Sequence, residues 1–186
     1  MKIITGALKG RRLKTIAGEG YRPATGKVRQ ALFSMLEARG VQWPQTRVLD
    51  VFAGSGSLGF EALSRSAPFA AFIESNPKAA AQIQANAETF GIQAGGYAVW
   101  ADTVRNVLNK RCPEPFHVIF VDPPYGHDLL TPAIRAVIRG GWLAEGGMLN
   151  AELESHITFA PENMHPALTC LVDKEYGQTR VVVWSR

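Results

Sequence analysis

Residues 47–66 read RVLDVFAGSGSLGFEALSRS, and this stretch decides the fold. An apolar run leads into a glycine-rich turn, and the residues after the turn favour a helix. Gly54, Gly56 and Gly59 satisfy the G-x-G-x-x-G spacing, in which glycines let the backbone approach a ligand and helix N–H groups point at it. The stretch predicts a strand, a ligand-binding turn and a helix. By itself it indicates an adenosine-containing cofactor without saying which one.

The alternation of strands and helices continues towards the C-terminus. Further strands separated by helical segments are predicted in AAFIE (70–74), YAVWAD (97–102), HVIFVD (117–122) and GMLNAELE (147–154). Residues 168–186 are typical of two strands joined by a turn, most simply an antiparallel hairpin. Five strands separated by helices, followed by this hairpin, predict an α/β domain with a mostly parallel seven-stranded sheet covered on both faces.

The helix boundaries are marked by capping residues. Thr25 is the expected N-cap of the first helix, which Gly40 ends, and Asn76, Pro77 and Gly91 have the residue types expected at the two ends of another helix. Ahead of the first helix we expect a short, basic, β-like extension over residues 1–24. The domain proper then covers residues 25–186.

Acidic residues recur where the predicted parallel strands end. They are Asp50, Glu74, Asp102 and Asp122. Ligands of open α/β sheets bind beyond this edge, so four acids there indicate a ligand rich in hydroxyl and amino groups. Asp122 opens the rigid sequence Asp-Pro-Pro-Tyr, and proline offers a carbonyl acceptor without an N–H donor. This arrangement suits the binding of an amino group.

Charge is concentrated at the N-terminus. The 186 residues have a net charge of +4, yet residues 1–29 hold eight basic side chains against Glu19 alone. A basic extension on a mildly acidic body indicates a polyanionic partner, with nucleic acid ahead of a membrane; a solvated basic face without a partner is the alternative. The two cysteines, Cys112 and Cys170, are too few and too far apart for a disulfide framework or a metal site. Without a signal peptide or membrane span, we expect a cytoplasmic protein.

The motifs together resemble a known enzyme class. DVFAGSGSLG (50–59), the acid Glu74, Asp102 and DPPY (122–125) are similar to those of class I S-adenosylmethionine-dependent methyltransferases that modify exocyclic amino groups, which have a Rossmann-like fold. With GALKGRRL (6–13), YRPATGKVRQALFSML (21–36) and GWL (141–143), the whole chain resembles the bacterial small-subunit ribosomal RNA guanine-N2-methyltransferase family, the RsmD type. The chain departs from the family pattern at Ala24, Gly26, Lys27 and Gln30.

The resemblance implies a role for each matching residue. Asp122, the Pro123 carbonyl, Pro124 and Tyr125 would form the catalytic motif, with Tyr125 stacking on a flipped base. Residues implied to hold the S-adenosylmethionine are Asp50, Phe52, Ala53, Gly54, Ser55, Gly56, Glu74, Ser75, Asp102 and Thr103. Within that set, Glu74 would bind the ribose hydroxyls and Asp102 the adenine amine. Residues implied to contact RNA phosphates are Arg11, Arg12, Lys14, Arg22 and Arg29. The resemblance implies a monomer without a metal that acts on 16S ribosomal RNA within a small-subunit particle.

Three alternatives stay open. The first, behind guanine N2, is an adenine-N6 or other amino-group methyltransferase, against which the length of the chain argues because it leaves little room for a target-recognition domain. The chain is also compatible with an NAD-dependent oxidoreductase, against which the Asp50 carboxylate argues because it would repel a pyrophosphate. A non-catalytic RNA-binding module is the third alternative.

Overall fold

The computed structural model describes residues 1–16, 26–124 and 128–186. Within these ranges seven strands form one sheet. They are β1 (Arg47–Val51), β2 (Phe69–Ile73), β3 (Tyr97–Trp100), β4 (Phe116–Val121), β5 (Leu143–Glu154), β6 (Thr169–Tyr176) and β7 (Thr179–Ser185). The order across the sheet is β3-β2-β1-β4-β5-β7-β6. The first five strands are parallel, whereas β7 runs antiparallel to both β5 and β6. The predicted mixed sheet and C-terminal hairpin are confirmed.

In the described part of the chain, five α-helices cover the two faces of the sheet. They are α1 (Gly26–Ala38), α2 (Ser57–Ser64), α3 (Pro77–Thr89), α4 (Val104–Leu108) and α5 (Leu130–Arg139). The Asn76 side chain accepts hydrogen bonds from the N–H groups of Lys78 and Ala79 at the start of α3, as its position predicts. Gly91 follows the end of α3 with a φ of 72°, a conformation that favours glycine. Thr25, the predicted cap of α1, lies outside the described residues.

The period of two along each strand divides the core into two layers. Val48 of β1 packs with the α1 and α2 side chains, while its neighbour Leu49 packs with those of α5. Every second residue of the central strands follows the same division. Consequently Asp50 in β1 shares the α1 face of the sheet with Val48, and so does Asp122, two residues beyond Phe120 in β4.

The N-terminal residues pack onto α2 and α3. Ile3 and Leu13 are buried in the same layer as α1. The Glu61 carboxylate accepts hydrogen bonds from the N–H groups of Ile4 and Thr5, at 2.8 and 3.0 Å. The predicted β-like patch amounts to an isolated antiparallel bridge between residues 2 and 12. The predicted boundary at residue 24 lies outside the described residues and stays a prediction.

Among the described residues, no helix combines the length and apolar character that crossing a membrane requires. The same residues hold no group of three or more His, Cys, Asp or Glu side chains that could bind a metal ion. Cys112 and Cys170 are both free thiols.

Candidate active site

A cleft of about 1000 Å³ opens at the carboxyl edge of the parallel strands. It lies between the turn after β1, the ends of β2 and β4, and helices α4 and α5. The predicted site residues that line it are Phe52, Ala53, Gly54, Ser55, Glu74, Ser75, Thr103, Asp122, Pro123 and Pro124. Residues separated by up to 72 positions in the sequence therefore meet in one cleft, because parallel strands bring their carboxyl ends to one edge.

The glycine-rich turn has the backbone conformations that its composition predicts. Gly54 and Gly56 have φ angles of 56° and 73°, in the left-handed region that side chains with a Cβ rarely adopt. Phe52 also has a positive φ, 62°, which strains a bulky residue and is typical of functional sites. Gly56 does not line the cleft; it is the N-cap of α2, where an added Cβ would lie 2.9 Å from the Phe60 ring. This placement does not support its predicted contact with the cofactor.

Glu74 fixes the geometry of the turn. Its side chain is only 8% exposed. One carboxylate oxygen accepts a hydrogen bond from the Gly54 N–H at 2.7 Å, and the other accepts from the Asn76 N–H at 2.7 Å. Glu74 also lines the cleft, where a carboxylate is a suitable acceptor for a ligand hydroxyl. Glu74 thus joins the turn after β1 to the start of α3.

Asp122 lies directly beyond β4 at the base of the cleft. Burial raises the pKa of its carboxyl to about 7, because the ionised form loses hydration there. Pro123 beside it is buried, whereas Pro124 is exposed. The cleft therefore contains a half-buried carboxylate whose charged form is disfavoured, followed by a residue that has no N–H donor. Tyr125 lies outside the described residues.

Asp50 is buried within β1 and binds the first turn of α2, next to the glycine-rich turn. It is 2% exposed and does not line the cleft. Its carboxylate accepts a hydrogen bond from the Gly59 N–H at 3.0 Å. Burial raises the pKa of Asp50 well above its usual range, and the charges of Asp122 and Glu74 add to that rise. The placement argues against the predicted cofactor contact, because Asp50 points to the α1 face and holds α2.

Asp102 is anchored at the start of α4 through one of its two carboxylate oxygens. It accepts hydrogen bonds from the Asn106 side chain at 2.8 Å and from the Thr103 N–H at 2.7 Å. These two bonds, the Asn106 one foremost, lower the pKa of Asp102. Thr103 lines the cleft. Both hydrogen bonds of Asp102 are made by Oδ1 and leave Oδ2 as an acceptor, so its contact with an adenine amine stays a prediction.

The basic residues predicted to bind RNA separate into different environments. Arg29 is 3% exposed, and its guanidinium donates to the Met1 sulfur and the Lys2 carbonyl and lies 3.9 Å from Glu61. This burial contradicts the predicted phosphate contact, because Arg29 ties the N-terminal residues to α1 instead. Arg12 and Lys14 are exposed, as is Arg11, and Arg22 lies outside the described residues.

Sequence reasoning missed four charged residues at or near the cleft. Arg105 of α4 and Arg135 and Arg139 of α5 line it. Their spacing of four along α5 is a sequence signal for a shared helix face, but the meeting of α4 and α5 is not. Glu152 of β5 is 2% exposed, and its Oε1 has no hydrogen-bond partner. Because Val121 pairs with Ala151, Glu152 lies beside Asp122 on the α1 face.

Comparisons with known proteins place this geometry in a family. The family model described as "Conserved hypothetical protein 95" matches residues 1–185. The ribosomal RNA small subunit methyltransferase D of Haemophilus influenzae is 34% identical, with 95% of this chain and 89% of that protein aligned. Its namesake from Escherichia coli is 35% identical over 88% and 80% of the two chains.

A solved structure shares the fold over the full length. The Escherichia coli protein yhhF, described as "Putative methyltransferase", superimposes with a TM-score of 0.85 and 32% identity, covering 100% of this chain and 97% of that one. Sequence motifs, sheet topology and these relatives agree. The chain belongs to the "Conserved hypothetical protein 95" family, the family of the small-subunit ribosomal RNA methyltransferases of the RsmD type.

Proposed function

We propose that the protein transfers a methyl group from S-adenosylmethionine to the exocyclic N2 amine of a guanine in 16S ribosomal RNA. The observation that carries the proposal is one cleft that combines the strained glycine-rich turn, Glu74 and the Asp122-Pro123 acceptor pair. The relatives named ribosomal RNA small subunit methyltransferase D support the RNA class. The enzyme works in the cytoplasm as a monomer on RNA of a small-subunit particle.

The cofactor half of the cleft has the chemistry that an adenosyl group needs. Glu74 is held in place by two backbone N–H groups and lines the cleft, where its carboxylate suits the two ribose hydroxyls as an acceptor. The backbone of Ala53 to Ser55 lets the methionine moiety approach closely, since the turn has no large side chain at Gly54. Phe52 and Ile73 add apolar walls to the cleft. S-adenosylmethionine, when bound, supplies an electrophilic methyl group.

The amine half explains why a carboxylate ends β4. The exocyclic amine of guanine is a weak nucleophile because its lone pair is delocalised into the ring. Asp122 and the Pro123 carbonyl accept hydrogen bonds from its two N–H groups, which orients the nitrogen and stabilises the positive charge that grows on it during transfer. As the new N–C bond forms, the bond from the methyl carbon to sulfur breaks. The nitrogen then loses one proton, and the ionised Asp122 carboxylate, already hydrogen-bonded to that nitrogen, accepts it.

The last two residues of the Asp-Pro-Pro-Tyr motif have separate roles. Pro124 restricts the backbone of Pro123 to an extended conformation. Tyr125 stacks on the flipped base, an interaction worth on the order of 1–3 kcal/mol per base. Its position lies outside the described residues, so the stacking remains a prediction.

Transfer of a labelled methyl group tests the proposal. The protein is incubated with methyl-labelled S-adenosylmethionine and with small subunits or naked 16S RNA from cells that lack this enzyme. We expect label in the RNA with the wild type and none with Asp122→Ala, while the two proteins bind the cofactor with similar affinity in calorimetry. Binding of a nicotinamide cofactor in place of S-adenosylmethionine would contradict the proposal, as would RNA binding without any transfer.

A further inference from the structure

Helices α4 and α5 carry several cations along one side of the cleft. Arg105 of α4 and Arg135 and Arg139 of α5 are exposed and line the cleft itself. Lys110 and Arg111, just past the end of α4, are exposed beside them. Arg139 donates a hydrogen bond to the Asn109 side chain at 2.9 Å, which joins the two helices. The five side chains therefore form one surface, which we call the α4–α5 surface.

This surface has an uncompensated positive charge. Some cations elsewhere in the described residues pair with carboxylates, such as Arg47 with Glu114, and Arg65 with Glu37 and Glu61. In the described part of the chain, none of the five cations of the α4–α5 surface forms a salt bridge, although Lys110 lies close enough to Asp102 to lower the pKa of that carboxyl slightly. Mutual repulsion among like charges costs stability, so an anionic partner would relieve it.

The N-terminal cations that the structure describes lie at the other end of the molecule. Arg11 donates to the Thr89 carbonyl at 2.8 Å and lies over the Phe90 ring. Thr89 ends α3, a helix that begins at the carboxyl edge and runs back towards the amino edge. Its 13 residues span roughly 18 Å. Arg11 is therefore remote from the cleft, and Lys14, bonded to Asn86 one turn earlier, is only slightly nearer.

We propose that the α4–α5 surface binds the phosphates of the ribosomal RNA strand that carries the target guanosine, with Arg105, Arg135 and Arg139 as its central contacts. The inference rests on the proposed function, which requires a polyanion to enter this cleft. Guanidinium groups suit phosphates because they donate paired hydrogen bonds. The three arginines flank the cleft on the face of the sheet opposite α1, so they fix the strand on one side of the base.

Salt dependence of RNA binding tests this surface. We compare wild type, Arg105→Gln/Arg135→Gln, and a control of equal charge, Arg39→Gln/Lys174→Gln, whose two cations are exposed but do not line the cleft. The affinity for a 16S RNA fragment is measured by filter binding from about 50 to 300 mM salt. Over this range the logarithm of the binding constant falls linearly with the logarithm of the salt concentration. The first variant should reduce the slope of log K against log salt by about 1.4–1.8, since each phosphate contact contributes roughly 0.7–0.9. The control should keep the wild-type slope.

Two further measurements separate this inference from the proposed function. Arg105→Lys/Arg135→Lys retains both charges and should keep most of the slope, and calorimetry should show unchanged S-adenosylmethionine affinity for all variants. Equal slopes for the test and control variants would overturn the α4–α5 surface, as would a loss confined to cofactor affinity. Either result leaves methyl transfer by the wild type intact. Absence of transfer by the wild type itself would instead overturn the proposed function.

Discussion

The state of Asp122 predicts how the rate of methyl transfer depends on pH. Its carboxyl has a pKa of about 7 because of burial, and only the ionised form accepts both hydrogen bonds and positive charge. Lowering the pH through 7 protonates this group, so the rate should fall on the acidic side. At pH 6 about one Asp122 in eleven is ionised, which predicts a rate roughly one tenth of the plateau reached above pH 8.

Asp122→Asn makes the prediction specific. The asparagine has a carbonyl acceptor and nearly the same shape, but it cannot ionise. Losing one charged acceptor of the transition state costs on the order of 10²–10³ in rate, by analogy with removing one group from an oxyanion hole. The residual rate of the variant should be independent of pH between about 5.5 and 8.5, a range centred on the pKa of Asp122.

Single-turnover transfer of labelled methyl to RNA at saturating cofactor is the assay. Calorimetry of S-adenosylmethionine binding over the same pH range separates chemistry from binding. A flat wild-type profile would refute the reasoning, because an ionisable acceptor with this pKa must produce an acidic limb. The same limb in Asp122→Asn would refute it too, since another group would then be titrating.

Three further substitutions test other parts of the site. Glu74→Ala removes the acceptor of two backbone N–H groups and should weaken S-adenosylmethionine binding on the order of 100-fold in calorimetry. An affinity within about threefold of the wild type, a difference under about 1 kcal/mol, would contradict the role of Glu74. Gly59→Ala places a Cβ 2.2 Å from the Phe72 ring and should lower the free energy of unfolding by about 1–3 kcal/mol in urea; unchanged stability would show that the ring moves freely. Burial raises the pKa of Glu152 well above its usual range, so the folded state resists its ionisation and loses stability as the pH rises above the unfolded-state pKa. Glu152→Gln cannot ionise and should gain stability relative to the wild type at pH 8 more than at pH 5, whereas an equal offset at both pH values would contradict this reasoning.

Local sequence signals predicted the elements of the fold and much of the cleft lining. Asn76-Pro77 and Gly91 mark the ends of α3 because capping needs only neighbouring residues. The glycine-rich turn and Glu74 were identified for the same reason, since their spacing reflects one strand–helix–strand unit.

Residues whose role depends on a distant neighbour were not predictable in this way. Asp50 lies within β1, but the face on which its side chain lies is set by the packing of α1 over the sheet. Arg29 is a different case, because a local signal was present. It precedes Leu32 and Phe33 by three and four residues, a spacing that places it on the buried face of α1, but its positive charge favoured an exposed position. Glu152 meets Asp122 only because β5 pairs with β4.

The identity of the methylated nucleoside tests the central claim most directly. Small-subunit RNA methylated by this enzyme is digested to nucleosides and analysed by chromatography and mass spectrometry against standards. The account predicts N2-methylguanosine, and it predicts that this product disappears with Asp122→Ala. Recovery of N6-methyladenosine instead would contradict it, because the Asp122-Pro123 acceptors would then be binding an adenine amine.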